Sequence, residues 1–321
     1  MSLPRINPRR VVLPAALAAV AATTFVLAGG PLQTFADAFG RALDADPRWV
    51  FAAAVFELLS FAGYVAFLWL VGGRATDRLG LRASTEVTLG GAAATRVLPT
   101  GGAGGAAVTI WSLRRAGLSV REAAHTLLTF LVLLYSVFLA SVAVSGGLIA
   151  SGIVDASGPL LLSALPAAGA ALAIAVGLGI AARRPRRERT VALGAAVRAA
   201  IALVRYGDAR LLGALAWWAF DAAVLWAMLH ALGAPPSLAV VALAYFLGQI
   251  ANTIPLPGAV SGGMVGVLLA FGAQADVALA GVLAYRAVAI WVPAPIGLAA
   301  LGGLRQTVAG WGGPRLVSQG V

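Results

Sequence analysis

The stretch Arg96-Val97-Leu98-Pro99-Thr100-Gly101-Gly102-Ala103-Gly104-Gly105 interrupts a long apolar region of this chain. Its proline and glycines prevent one regular helix from running through it. The pattern returns later, since Leu98-Pro99, four residues and Gly104-Gly105 match Leu256-Pro257, four residues and Gly262-Gly263. Two interrupted segments in matching places predict a duplicated membrane protein with a central site where the interruptions meet.

The composition around this stretch predicts an integral membrane protein. Hydrophobic residues make up 60% of the 321 residues, charged residues only 11%, and the mean hydropathy is +0.92. Soluble domains carry about 25% charged residues, so this chain has too few to cover a surface facing water. We predict an all-α, polytopic helical bundle that forms a single membrane domain over residues 1–321.

The charge and the cysteine content exclude several other classes of protein. The net charge is +11, and all basic residues are arginines that lie between apolar runs. This placement is typical of membrane orientation and of contact with anionic lipid, so no nucleic-acid partner is predicted. With no cysteine and two histidines, we predict no disulfide, no metal site and no cofactor.

Apolar runs and arginines together predict the topology. Basic residues on both sides of the first interrupted segment indicate that it enters and leaves by the same face, as a re-entrant hairpin does. The same rule places both termini in the cytoplasm and the protein in the plasma (inner) membrane. The predicted full spans are residues 11–30, 49–72, 122–150, 159–182, 210–232 and 277–303, with broken hairpins at 84–113 and 237–272 and a surface helix at 190–207.

The spans divide into two halves of the same plan. Residues 11–150 and 159–303 each contain three full spans and one broken re-entrant hairpin, and the arginines give the halves opposite orientations. Phe56-Glu57 and Phe220-Asp221 lie at corresponding mid-span positions. We therefore predict an inverted repeat, the arrangement of many transporters.

Charged and polar residues near the interruptions are the candidate ligands of a substrate. Arg96 and Arg286 would hold a phosphate together with backbone N–H groups freed by the first interruption. Arg96 instead pairs with Glu57 or Glu86 if its role is structural. The predicted substrate-binding residues are Arg96, Pro99, Gly101, Gly102, Glu57, Asp221, Asn252, Pro257, Gly258 and Arg286.

Alternative roles stay open for the acidic and amide side chains. Glu57 and Asp221 serve either helix–helix hydrogen bonding or proton coupling and ion pairing with the buried arginines. Arg286 is either a partner of Asp221 or a second anion ligand. Asn252 bonds either to freed backbone carbonyls or to a headgroup. The sequence shows no catalytic triad, phosphate-binding loop with lysine or paired carboxylates at glycosidase spacing, and no catalytic residue is predicted.

These motifs resemble a known family. The run Arg96–Gly105, the following Leu113–Ser119, Ile254–Gly258 and Tyr285-Arg286 are similar to the lysylphosphatidylglycerol synthase transmembrane-region family, over about residues 10–305. The resemblance implies movement of aminoacylated phosphatidylglycerol between leaflets, without the separate domain that synthesises this lipid. Family members often carry a glutamate after the second interruption, where this chain has Met264.

We therefore predict a flippase-like protein that is not an enzyme. It would translocate or bind an anionic or aminoacylated phospholipid or a polyprenyl-phosphate lipid, whose headgroup enters between the two hairpins. One alternative is a membrane enzyme that acts on a lipid-phosphate carrier, for which Ser261, Thr100 and Glu57 are the available groups. The other alternative is a noncatalytic membrane scaffold.

Overall fold

A computed structural model describes Gly40 and residues 44–97, 103–183, 188–233, 236–251 and 258–311. These residues form α-helices joined by short turns, and no β-strand occurs among them. The helices are α1 (Pro47–Ala75), α2 (Leu81–Val97), α3 (Ala103–Arg115), α4 (Val120–Ala150), α5 (Leu160–Ala182), α6 (Glu188–Tyr206), α7 (Leu212–Ala231), α8 (Leu238–Ile250), α9 (Ala259–Ala270), α10 (Ala275–Trp291) and α11 (Pro293–Gly310). The predicted all-α fold is confirmed.

Local capping interactions set where the long helices begin. At the start of α1 the Asp46 side chain accepts the N–H of Arg48 at 2.9 Å, and Pro47 occupies the first turn, where no helical N–H partner is needed. At the start of α4, Ser119 and Glu122 form a reciprocal capping box. These caps satisfy backbone donors that the first turn of a helix leaves without partners.

Five helical segments are long and apolar enough to cross a membrane: Pro47–Ala75, Val120–Ala150, Leu160–Ala182, Ala209–Ala231 and Ala275–Gly310. Each corresponds to a predicted span, so the chain is a multi-pass membrane protein. The predicted first span, residues 11–30, lies outside the described residues. The predicted surface helix corresponds to α6, which packs against α4 and α5.

Both interrupted segments contain two short helices that pack against one another. Helix α2 packs on α3, and α8 packs on α9. None of the four is longer than 17 residues, whereas a single span needs about 20. This arrangement agrees with a pair of hairpins, and the residues between the paired helices, 98–102 and 252–257, lie outside the described part of the chain.

The last span is longer than predicted and consists of two helices. Helix α10 ends at Trp291 and α11 begins at Pro293, because a proline cannot donate the helical hydrogen bond that its position requires. Helix α11 packs against α2, so the C-terminal segment supports the first hairpin. The last span therefore has a break at Val292.

Helices α1 and α7 form the centre of the bundle. Phe56 stacks on Phe220 with ring centroids 5.9 Å apart, and these are the two residues that the sequence comparison had matched between the halves. A contact between equivalent residues is expected where a twofold axis passes. This contact supports the inverted repeat. It does not show which way each half faces in a membrane, so the inverted repeat stays a prediction.

Candidate functional site

The predicted site residues fall into two groups. Glu57, Asp221 and Arg286 lie on α1, α7 and α10, and Gly258 precedes α9 with a φ of +81°, a conformation that favours glycine. The backbone of Arg96 lies in the last turn of α2, but its side chain is outside the described part of the chain. The remaining predicted residues also lie outside it: Pro99, Gly101, Gly102, Asn252 and Pro257.

Asp221 is the centre of a buried polar network. Tyr245 of α8 donates its hydroxyl to one carboxylate oxygen at 2.5 Å, and Tyr285 of α10 donates to the other at 3.2 Å. Gln249 of α8 in turn donates to the Tyr285 hydroxyl at 3.5 Å. Both tyrosines are almost completely buried. Asp221 therefore connects α7 to the second hairpin and to the last span.

Glu57 and Arg286 lie beside the same network. Glu57 is 2% exposed, and both residues act electrostatically on the Tyr285 hydroxyl. One turn along α1, Ser60 donates to the backbone carbonyl of Trp217 at 2.9 Å and connects α1 to α7. Three of the predicted site residues, from three different helices, are thus brought together in the bundle interior.

Glu86, a predicted alternative partner of Arg96, has a different partner. Its carboxylate accepts the Nε–H of Arg82 at 3.1 Å, one helical turn earlier on α2. Glu86 is buried beneath Gly303 of α11, where a Cβ atom would lie 3.0 Å from the carboxylate oxygen. This acid contributes to the α2–α11 contact.

A cavity of about 250 Å³ opens beside the network, between the first hairpin and helices α1, α4 and α7. Asp221 and Gln249 reach it from the side of the second hairpin. The first hairpin lines it with small and hydroxyl-bearing residues from both of its helices: Thr88, Gly91, Ala92 and Thr95 of α2, and Gly105, Ala106 and Thr109 of α3. Gln249 is the residue of the second hairpin that lines this cavity, so the predicted site between the hairpins stays a prediction.

We call this space the central cavity. Aromatic rings form the wall opposite the first hairpin. Tyr64 stacks on Trp217 with centroids 4.3 Å apart, and Tyr135 packs near Trp218. The rings that line the cavity are those of Tyr64, Phe130, Tyr135, Trp217 and Trp218. A carboxylate at one end of a cluster of aromatic faces is a favourable environment for an ammonium group, because the ring quadrupoles and the acid both attract positive charge.

One further group in the central cavity lacks a protein partner. Thr88 is 3% exposed, and its hydroxyl oxygen has no hydrogen-bond partner among the described groups. A buried hydroxyl without a partner costs free energy, so such groups are normally satisfied by water or by a ligand. Together with Gln249, Thr88 offers neutral hydrogen bonds beside the charge of Asp221.

Sequence reasoning identified the acids of this site but missed the tyrosines and the aromatic wall. Tyr64 follows Glu57 by seven residues and therefore lies on the same face of α1, which was a usable signal. Tyr245 lies 24 residues from Asp221 in the chain and gave no local signal. Aromatic residues in apolar helices are common, so spacing alone does not separate a cavity wall from a packed core.

Comparison with protein families agrees with this architecture. The family model described as Lysylphosphatidylglycerol synthase TM region matches residues 10–297, which include both hairpins and the central cavity. The match confirms the resemblance found in the hairpin motifs, and it relates the chain to membrane phospholipids. A comparison with curated proteins finds no match.

Proposed function

The chain belongs to the lysylphosphatidylglycerol synthase TM-region family, and from this membership we propose that it carries an aminoacylated phospholipid between leaflets. The observation that carries the proposal is the central cavity, with its carboxylate, its aromatic wall and a lining to which both hairpins contribute. Among the lipids considered from the sequence, the aminoacylated class has the positive amino group that this lining suits.

The size of the cavity supports a carrier of headgroups. Pockets that enclose whole drug-sized ligands have volumes of about 300–1,000 Å³. The central cavity, at about 250 Å³, has room for an aminoacyl-glycerol headgroup but not for two acyl chains. The chains would stay in the bilayer while the headgroup crosses through the protein.

We assign a separate binding role to each polar residue of the cavity. The Asp221 carboxylate faces the amino group, Thr88 and Gln249 bond to the ester or glycerol oxygens, and the aromatic rings exclude water. From the sequence we propose that Arg96 and Arg286 hold the phosphate; Arg286 follows Tyr285 of the Asp221 network and is not among the residues that line the cavity. Movement of one half against the other then exposes the headgroup to each leaflet in turn. We propose the plasma membrane as its location, with both termini cytoplasmic.

This proposal assigns the chain the role of a carrier and not that of an enzyme. The carboxylate in the cavity accepts hydrogen bonds from two tyrosines, which suits a binding group held in one position. A membrane enzyme would release a new product from the lipid. Incubation of the purified protein with aminoacylated and polyprenyl-phosphate lipids, followed by mass spectrometry, should return them unchanged.

The test of transport uses proteoliposomes that contain lysyl-phosphatidylglycerol. A membrane-impermeant amine reagent, applied at successive times, measures how fast amino groups from the inner leaflet appear outside. The wild type should expose them faster than protein-free liposomes. Asp221→Asn, which removes the charge but keeps an acceptor oxygen, should reduce the rate at least about tenfold, the effect of losing a single charged hydrogen bond.

A matched variant controls for the loss of one acid. Asp155 lies in an exposed turn between α4 and α5, and Asp155→Asn should transport at the wild-type rate. Size-exclusion profiles establish that both variants fold. Wild-type transport by folded Asp221→Asn protein would contradict the assigned site, and no transport by the wild type would contradict the function.

A further inference from the structure

A second site lies at the arginine-rich end of the bundle, away from the central cavity. Two adjoining cavities of about 550 and 460 Å³ occur there, and Ala75, His125 and Thr126 line both of them. We call this continuous space the arginine-end groove. It lies between the end of α1, the start of α4 and helix α6.

The polar part of the groove carries positive charge. Arg121 and His125, on the first turns of α4, line the first cavity, and Arg74, in the last turn of α1, lines the second. The Arg74 guanidinium is held over the ring of Tyr206 of α6, 4.0 Å from its centroid. This stacking fixes the direction of the side chain while leaving its N–H groups available to an acceptor in the plane.

Two acids lie near these arginines, and each has its own partners. Glu122 also lines the first cavity, but its carboxylate accepts the Ser119 backbone N–H at 2.7 Å in the capping box. Asp208 acts electrostatically on Arg74, but it accepts two hydrogen bonds from the Arg210 side chain, at 3.0 and 2.7 Å. The partners of Glu122 are neutral, so its carboxylate keeps its charge, whereas Asp208 is paired with Arg210. Arg74 and Arg121 against Glu122 leave the lining of the groove with one net positive charge.

A buried hydroxyl at the inner end of the groove lacks a partner. Thr129 lies on α4, one turn beyond His125, and lines the second cavity. It is 4% exposed, and its Oγ has no hydrogen-bond partner among the described groups. Because such a group is normally satisfied by water or by a ligand, this hydroxyl is available to an oxygen-bearing ligand in the groove. It is an observation independent of the arginines.

The other wall of the groove is apolar. The second cavity is lined by Val71 of α1 and by Ala199, Ala202 and Leu203 of α6. The groove therefore changes from charged to apolar over its length, as a phospholipid does from its phosphate to its acyl chain. Arginine near a membrane surface is also the residue that attracts anionic lipids.

We propose that the arginine-end groove binds an anionic phospholipid from the leaflet that it faces. Arg74, Arg121 and His125 contact the phosphodiester, Thr129 donates to an ester oxygen, and one acyl chain lies along Val71 and Leu203. This site is separate from the central cavity and does not depend on transport. It holds a resident lipid against helices α1, α4 and α6.

Native mass spectrometry of the full chain, delipidated in detergent, measures this binding directly. The added probes are dioleoyl-phosphatidylglycerol and dioleoyl-phosphatidylcholine, which share their acyl chains and differ in net charge. The wild type should retain one phosphatidylglycerol more tightly than any phosphatidylcholine. Arg74→Gln with Arg121→Gln should weaken that binding at least about tenfold, since each arginine supplies a charged hydrogen bond.

The control variant removes two arginines elsewhere. Arg183 and Arg305 are exposed at other helix ends, and Arg183→Gln with Arg305→Gln should retain phosphatidylglycerol like the wild type. Equal weakening of binding in both double variants would show that the lipid responds only to the net charge of the protein, and it would contradict the proposed site. Displacement of the lipid by millimolar inorganic phosphate would assign the groove to free phosphate and would also overturn it.

A milder variant keeps the test valid if the arginine variant fails to fold. Thr129→Val keeps the shape of the side chain and removes only the hydroxyl. It should fold at least as well as the wild type, because it removes an unsatisfied buried group, and it should bind phosphatidylglycerol several-fold more weakly. Unchanged binding by this variant would contradict the placement of the lipid in the groove.

Discussion

In the first hairpin α2 and α3 meet where Gly105 faces Gly91, and in the second α8 and α9 meet where Gly263 faces Gly248. A Cβ atom on Gly105 would lie 3.3 Å from the Gly91 carbonyl oxygen, and one on Gly263 would lie 3.1 Å from the Gly248 Cα. Gly105 and Gly263 are the last glycines of the repeated sequence pattern. In both hairpins the last glycine of the repeated pattern thus lies close to the backbone of a glycine on the preceding helix.

The hairpins differ in how they contact the rest of the bundle. The first hairpin lines the central cavity with residues of both its helices, and its helix α2 also packs against α11. The second hairpin contributes Gln249 to the cavity, and its Tyr245 donates a hydrogen bond to Asp221 of α7. The two occurrences of the motif therefore differ in their surroundings, since one hairpin lines the cavity with both of its helices and the other is held to α7 by a hydrogen bond.

Loss of the anchor should have the largest effect on stability. Asp221→Ala leaves the hydroxyls of Tyr245 and Tyr285 buried without their acceptor, at a cost of about 2–3 kcal/mol. Thermal unfolding of the purified protein in detergent, followed by tryptophan fluorescence, measures the loss. Asp155→Ala, in an exposed turn, should change the unfolding temperature little. An Asp221→Ala protein as stable as the wild type would contradict the anchoring role.

Equivalent glycines should respond differently in the two hairpins. A Cβ on Gly104 would lie 2.9 Å from the Ala94 carbonyl oxygen and 3.1 Å from the Thr95 nitrogen, whereas a Cβ on Gly262 meets nothing within 4 Å. Gly104→Ala should therefore destabilise by about 1–3 kcal/mol through overpacking.

Gly262→Ala is the matched variant, and it should stabilise α9 by about 0.5–1 kcal/mol because alanine is the better helix former. Differential scanning fluorimetry of both proteins in the same detergent measures the two shifts. The same sign of change at both positions would show that the two hairpins are packed alike, contrary to the structure.

The smallest effect is expected from a hydroxyl inside the first hairpin. Thr95 accepts the backbone N–H of Gly105 at 2.8 Å, so a residue of α2 caps the first turn of α3. Thr95→Val should cost about 1 kcal/mol, the usual value of a side-chain cap. Thr85→Val removes a hydroxyl that bonds only within its own helix, to Leu81, and should cost less. Equal unfolding temperatures for the two variants would contradict the capping role.

The sequence predicted the features that depend on local chemistry. Pro99 cannot donate a helical hydrogen bond in any surroundings, and a run of about twenty apolar residues is long enough to span a membrane. Gly104 and Gly105, by contrast, lie inside α3. The hairpins and spans were therefore predictable, as was the interior position of Glu57 and Asp221. Comparison of the halves matched Phe56 with Phe220 as corresponding residues, and the contact between their rings was not predicted.

The contacts between distant residues were not predictable in the same way. Asp221 meets Tyr285, 64 residues later, only because α7 and α10 have particular rotations about their axes. The aromatic wall depends likewise on how α1, α4 and α7 are turned toward one another. In the sequence, the arginines of the groove were explained as residues that orient the protein in the membrane. That Arg74 lies in one cavity with Thr129 and Tyr206 follows from the packing of α6, which the sequence does not show.

The crossing of α1 and α7 has a mechanical consequence. At Gly63 and Gly213 the two backbones touch, since a Cβ on Gly63 would lie 2.9 Å from the Gly213 carbonyl oxygen. The contact continues toward the start of α1, through the hydrogen bond from Ser60 to Trp217 and the stacked rings of Phe56 and Phe220. A side chain at Gly63 would therefore press the two helices apart and loosen contacts that lie one and two turns away from it.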